Sequence, residues 1–171
     1  MKTFTMDEAS LKYFGEFLAE FQKESDRGAA LVGAALLDTR LERLLISHML
    51  PGKVTNDLVL GGNAPLGTFS SRINVCLSLG LITSAERHDI NLVRSIRNEF
   101  AHREHGLTFE DERIAGLCSS LTSRRPPEMV ADRGYPPRQR FNDAVTFNAL
   151  QLWYRPEHAA ALKAKERTWP Y

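Results

Sequence analysis

The clearest structural signal in the chain is the sequence TSAERHDINLVRSIRNEFAH, from Thr83 to His102. Thr83 and Glu86 form a capping-box pattern, in which each side chain accepts a hydrogen bond from the other residue's backbone N–H. After this box, apolar residues recur with the three- and four-residue spacing of one helix face, at Ile90, Val93, Ile96 and Phe100. The stretch therefore predicts a long amphipathic helix that ends near Arg103, before Gly106.

Similar spacing predicts helices along most of the remaining chain. The predicted segments are residues 7–22, 26–49, 56–60, 68–79, 108–121, 138–153 and 157–167. Ser25 is the expected cap of the second segment, Thr108 and Asp111 form a second capping-box pattern, and Pro156 is the expected first-turn proline of the last segment. No alternating strand pattern persists, so we predict an all-α fold, a single-domain bundle of about six to eight helices over residues 1–171.

The second segment carries the longest predicted apolar stripe, which comprises Val32, Leu36, Leu37, Leu41, Leu44, Leu45 and His48. The prolines and glycines of residues 122–138 predict a long loop before the last two helices. This loop has a local excess of arginine, which we interpret as a solvated surface.

The composition is that of an ordinary globular protein. The 171 residues are 43% hydrophobic and 25% charged, and 22 basic against 21 acidic residues leave a formal net charge of +1. This balance does not favour a protein that is held on nucleic acid by bulk charge. The two cysteines, Cys76 and Cys118, lie in apolar stretches without a CxxC pattern, as expected of buried thiols in a reducing cytoplasm. The longest apolar stretch, residues 29–37, is far shorter than the roughly 20 residues that cross a membrane, and no signal peptide is expected.

The Arg97-Asn98-Glu99-Phe100-Ala101-His102 segment carries residue types suited to chemistry on phosphates. At 100° per residue, Arg97 falls inside the apolar stripe of its helix. One interpretation is a buried arginine paired with a carboxylate such as Asp38, Glu42 or Glu99. The other is a functional site.

The second interpretation follows from a resemblance. Arg97, Asn98 and His102 resemble the R-N-x-x-x-H motif of the HEPN superfamily of helical domains. In active members, the arginine and histidine of two subunits face each other across a dimer and act as a metal-independent ribonuclease. The resemblance would make Arg97, Asn98 and His102 the catalytic residues, with His102 transferring protons and Arg97 neutralising phosphate charge. It would also make RNA the substrate and the protein a homodimer.

A longer resemblance overlaps the first. The sequence GNAPLGTFSSRI at residues 62–73, the LGLI turn at 79–82 and the segment 97–102 are similar, in this order and at this spacing, to the mannitol operon repressor family. The similarity spans about residues 55–112, within a predicted core of residues 26–121. We assign no family motif to the N-terminal segment or to residues 122–171. The resemblance implies a helical transcriptional regulator that acts through a protein partner.

Arg72 poses the same question as Arg97, because it also falls on the apolar side of its predicted helix. It is either a structural tie for the glycine-rich run 61–67 through its five donors, or an anion contact together with Gly62 and Asn63. The run lacks the GK[ST] ending of a phosphate-binding loop. Its glycines are therefore expected to serve backbone geometry.

Other sites and activities are not indicated by the sequence. Glu99 and His102 have the spacing of a di-iron ligand pair, but no second Glu-x-x-His exists, so we expect no metal and no cofactor. No nucleophile motif is present. The turn at residues 79–83 superficially resembles helix-turn-helix, but its second helix has the stripe of a core helix. We therefore expect a regulator that binds another protein and does not bind DNA directly, with a HEPN-type ribonuclease as the alternative.

Overall fold

The computed structural model describes residues 8–123 and 134–170. Within these ranges the chain forms helices and no strands, which confirms the all-α prediction. The seven helices described are α1 (Glu8–Phe21), α2 (Asp26–His48), α3 (Lys53–Val59), α4 (Phe69–Ser78), α5 (Ser84–His102), α6 (Glu112–Ser119) and α7 (Pro137–Ala161). The predicted arginine-rich loop falls mostly on residues 124–133, which lie outside the described residues.

Helix α2 is the centre of the bundle and packs against α1, α3, α4, α5 and α7. Small residues line its N-terminal half, and Ala29, Ala30 and Ala34 are buried. A Cβ atom at Gly33 would lie 3.0 Å from Cγ2 of Val145 on α7, so the glycine lets the two helices approach closely. Val32, which we predicted in the buried stripe, is instead partly exposed, because these small residues form the contact face.

The predicted caps around α2, α4 and α5 are confirmed. The Ser25 hydroxyl accepts from the Gly28 N–H at 3.0 Å. At the start of α5, the Thr83 N–H donates to Glu86 Oε2 at 2.7 Å and the Glu86 N–H to Thr83 Oγ1 at 3.2 Å. Gly80, with φ of +68°, ends α4 in the left-handed conformation that favours glycine. Local hydrogen bonds therefore set these boundaries.

The second predicted capping box forms only in part and does not start a helix. The Thr108 N–H donates to Asp111 Oδ2 at 2.7 Å, and the helix begins only at Glu112. The box instead closes a turn that buries Phe109, whose ring lies 5.1 Å from the rings of both Phe100 and Phe141. Packing of this aromatic residue therefore delays the helix by one turn.

Helix α7 also corrects a predicted boundary. We expected a separate last helix from Glu157 to Arg167, but α7 continues through Pro156 to Ala161, and residues 163–170 are not helical. Contacts on both sides of the proline hold the helix together, since Leu152 and Ala159 are buried. The loss of one backbone hydrogen bond at a proline is offset by this packing.

The two cysteines lie in the core as free thiols. Burial raises the pKa of both Cys76 and Cys118 to about 12, so both are protonated at neutral pH. In the described parts of the chain, no helix is long and apolar enough to cross a membrane.

Candidate functional site

The Arg72 guanidinium is the centre of a buried polar cluster between α2, α3 and α4. Its Nη1 donates to Asp38 Oδ1 at 2.8 Å, and its Nη2 donates to Glu42 Oε2. The same side chain also donates from Nε to the Leu66 carbonyl at 3.0 Å and from Nη2 to the Val59 carbonyl at 3.1 Å. Two carboxylates and two carbonyls thus surround a side chain that is only 6% exposed, which is the arrangement of a structural tie.

The glycine-rich loop is held by this cluster and by its own backbone. The Leu66 N–H donates to the Leu58 carbonyl at 2.8 Å, and a Cβ atom at Gly67 would lie 2.2 Å from the Gly61 carbonyl oxygen. Gly67 therefore permits a close backbone crossing, as the sequence predicted for the loop glycines. Gly62 and Asn63 are exposed at its tip, away from Arg72's hydrogen bonds, and the proposed binding role of these residues stays a prediction.

Arg97 lies at a shallow groove and not in an ion pair. Of the carboxylates proposed as its partners, Asp38 and Glu42 bind Arg72, and Glu99 pairs with Arg113 at 2.7 Å. The half-buried Arg97 side chain forms no hydrogen bond or ion pair with any described residue, so the predicted salt bridge is wrong. The groove has a volume of about 290 Å³ and is lined by Leu31, Ala34, Ala35, Asp38, Phe69 and Arg97.

The other two residues of the proposed catalytic motif lie further along α5. His102 is the last residue of the helix and is exposed, and Asn98 is half-buried. No hydrogen bond joins either residue to Arg97 in the described structure. No group of three or more metal-ligating side chains occurs in the described residues, and the catalytic role of the motif stays a prediction.

The start of α5 is acidic and occupied by internal contacts. The Glu86 carboxylate binds the Arg155 guanidinium at 2.6 and 2.8 Å. Burial alone would raise the pKa of Glu86, but the hydrogen bonds from Arg155 and from the Thr83 N–H outweigh it and hold this pKa below its ordinary value. The buried Asp89 carboxylate accepts bonds from Thr122 and Ser123 at 2.7 to 2.9 Å. These carboxylates tie α5 into the bundle.

Comparison with known proteins identifies the family. The model of the mannitol repressor family matches residues 53–153, more than half of the chain. The chain belongs to the mannitol repressor family. This match extends beyond the 55–112 range of the sequence resemblance. It takes in α6 and also most of α7, a helix to which we assign no family motif from the sequence.

Curated relatives and a solved structure agree with this assignment. The mannitol operon repressor of Escherichia coli strain K12 is 33% identical over 63 residues, which cover 37% of this chain and 32% of that protein, and the protein from Escherichia coli O6:H1 gives the same values. The matched region thus spans about a third of the length of these mannitol repressors. A chain of the X-ray structure of the MtlR–HPr complex from Escherichia coli covers 87% of this chain and 99% of its own length, with 21% identity and a TM-score of 0.58, and shares the fold. None of these matches supports the HEPN alternative.

This member of the mannitol repressor family also has a buried cation, Arg40, that the sequence patterns did not indicate. The residue is only 7% exposed, and its guanidinium carbon lies 3.3 Å from the centroid of the Trp153 ring on α7. Its position next to Leu41 in the apolar stripe was the available signal. The partner ring lies more than a hundred residues away, so no local pattern could identify it.

Proposed function

We propose that this protein is a transcriptional regulator of the mannitol-repressor type that acts by binding a partner protein and does not read DNA directly. The observation that carries this proposal is that a protein with the same fold has been solved in complex with another protein. The structural relative from Escherichia coli is a complex of MtlR with HPr, and the family model covers the central helices of this chain. An HPr protein is therefore the first partner to test.

Two features of the chain support a protein partner over DNA. The formal net charge is only +1, whereas affinity for DNA rests largely on the neutralisation of phosphates by basic side chains. If the turn at residues 79–83 belonged to a helix-turn-helix motif, α5 would be its recognition helix, and the first turns of α5 would contact base edges. These turns carry Glu86 and Asp89, whose carboxylates bind Arg155, Thr122 and Ser123. Carboxylates repel DNA phosphates, and these two already bind groups within the protein. The first turns of α5 are therefore unsuited to contact a DNA groove.

Isothermal titration with the HPr protein of the same organism tests the proposal. We expect saturable binding, with the same protein preparation leaving labelled promoter DNA of the neighbouring operon unretarded in a gel at equal concentration. Sequence-specific retardation of that DNA by the purified protein alone, without HPr binding, would contradict the proposal.

We also propose that the protein is a homodimer that uses the groove beside Arg97. The groove combines apolar residues, including the exposed Leu31, with the unpaired Arg97 and with Asp38, whose carboxylate is partly accessible. In a two-fold interface each surface meets its own copy. Arg97 of one copy would then lie near Asp38 of the other, which supplies the missing counter-charge.

Light scattering tests the dimer. The wild-type protein is expected at twice the chain mass of 19.3 kDa, and Arg97→Glu, which reverses the charge in the groove, is expected to shift it to the monomer mass. Arg94→Glu is the matched control, because Arg94 is also half-buried on α5 but does not line the groove. A monomeric wild type at micromolar concentration would overturn this part of the proposal.

A further inference from the structure

Arg40 is a buried cation whose hydrogen-bond donors have no acceptor among the described residues. It lies on α2 with only 7% of its surface exposed, and the Trp153 ring covers one face of its guanidinium. None of its nitrogens donates to a carboxylate or carbonyl of the described residues, and Nε is fully enclosed without a partner. A cation–π contact stabilises the charge through the ring face, but it leaves the in-plane N–H donors unused.

No carboxylate of the described part of the chain forms an ion pair with Arg40. Burial, together with the nearby charge of Arg43, lowers the pKa of Arg40 to about 10. Buried charges in proteins are ordinarily paired and hydrogen-bonded because an isolated one is costly. A second arginine at this position increases the excess of positive charge, so the site is complementary to an anion.

The Arg40 guanidinium borders an open pocket that is large enough for a small organic ligand. The pocket has a volume of about 400 Å³ and is lined by Ala9, Ser10, Tyr13, Arg40, Arg43 and Trp153. Ala9 and Ser10 belong to α1. Glu8, in the same helix, forms no ion pair with either arginine within the described structure.

We propose that this pocket is a binding site for a small organic phosphate. The forked N–H donors of arginine match the geometry of phosphate oxygens, and Arg40 and Arg43 supply the positive charge of the pocket. The Tyr13 and Trp153 rings, whose centroids are 5.7 Å apart, form an apolar wall for the organic part. The volume lies within the range of small-molecule sites and exceeds the need of a bare phosphate ion. The site is separate from the groove beside Arg97 and does not depend on the proposed function.

Thermal melting and isothermal titration with defined probes test the proposal. Inorganic phosphate is expected to raise the melting temperature above that in chloride of equal ionic strength, because a ligand that binds only the folded state stabilises it. Glucose 6-phosphate, a probe of the right chemical class, is expected to bind and glucose is not. Equal stabilisation by chloride and phosphate, or binding of citrate without binding of phosphate, would overturn the proposal.

Variants of the pocket arginines, compared with a control arginine outside the pocket, test whether phosphate binds there. Arg40→Met is expected to weaken phosphate binding by at least about tenfold, the equivalent of one charge-assisted hydrogen bond, and Arg43→Ala is expected to weaken it in the same direction. Arg94→Met, which replaces a half-buried arginine outside the pocket, should leave binding unchanged. If both pocket variants bind phosphate as tightly as the wild type, the pocket is not the site. Arg43 is exposed, so Arg43→Ala provides this test even where Arg40→Met folds poorly.

Discussion

Arg72 and Arg40 are two almost equally buried arginines with opposite surroundings. Arg72 donates to two carboxylates and two backbone carbonyls. Arg40 lies against the Trp153 ring, near a second arginine, and donates to no described residue. Both lie on apolar helix faces and both are more than nine-tenths buried.

The comparison shows that burial does not reveal the role of a charged residue, whereas its set of acceptors does. Where the protein itself supplies the hydrogen-bond acceptors, as at Arg72, the arginine holds helices together. Where the described residues supply none, as at Arg40, we propose that a bound anion supplies the acceptor. Arg97 is a third case, half-buried at a groove and without an ion pair among the described residues, and we propose that a second copy of the chain covers it.

The largest expected effect is that of Arg72→Ala. This change leaves the Asp38 and Glu42 carboxylates and two buried carbonyls without their donor, and removal of one partner from a buried ion pair costs about 3–5 kcal/mol. Urea unfolding should show a loss of this size. Arg87→Ala, which removes an exposed arginine bound to Asn74, is the control and should change stability little. An unchanged midpoint for Arg72→Ala would contradict the structural role.

A smaller effect is expected at the Glu86–Arg155 pair, whose side chains are 15% and 23% exposed. Glu86→Gln should destabilise the protein at pH 7 by about 1–2 kcal/mol, since it weakens charge-assisted hydrogen bonds. Because the folded-state pKa lies below the ordinary value of 4.5, the stabilisation is fully present above pH 4.5 and is lost as the pH falls through the folded-state pKa. Urea titrations between pH 3 and 7 should show the wild type and the variant converging in acid; a constant difference across this range would count against the pair.

Arg40→Met is expected to change stability much less than Arg72→Ala in the absence of phosphate. The change removes a cation–π contact of about 1–2 kcal/mol but also removes an uncompensated buried charge, and it leaves no protein acceptor unpaired. Urea unfolding in phosphate-free buffer should therefore show a change within about 1 kcal/mol. A loss as large as that of Arg72→Ala would mean that the two arginines have the same structural role.

The smallest effect is expected for His102→Ala, because His102 is exposed at the end of α5. Stability should change by less than about 0.5 kcal/mol, and neither the wild type nor the variant should cleave RNA in the presence of EDTA. His105→Ala, a nearby exposed histidine outside the motif, is the control. Cleavage by the wild type that is lost in His102→Ala and retained in His105→Ala would establish the ribonuclease alternative and assign catalysis to the motif.

The helices whose ends depend on neighbouring residues were predictable from the sequence. Ser25, Gly80 and the Thr83–Glu86 box act through hydrogen bonds or backbone angles within a few residues, so the sequence contains their partners. The order of motifs around residues 62–82 was likewise sufficient to indicate the mannitol repressor family, which the family match confirmed. The site was harder to predict from the sequence, because the roles of Arg72, Arg97 and Arg40 depend on groups that are distant along the chain.

By itself, the sequence determined the all-α class, the caps and the family, because these follow from side chains close together along the chain. Only the tertiary structure decided that Asp38 and Glu42 bind Arg72 and not Arg97, that Trp153 covers Arg40 and that α7 continues through Pro156. Each of these outcomes is a competition among distant groups for one contact or one packing position. The geometry of the whole bundle decides which groups make the contact, and no local period or spacing in the sequence indicates it.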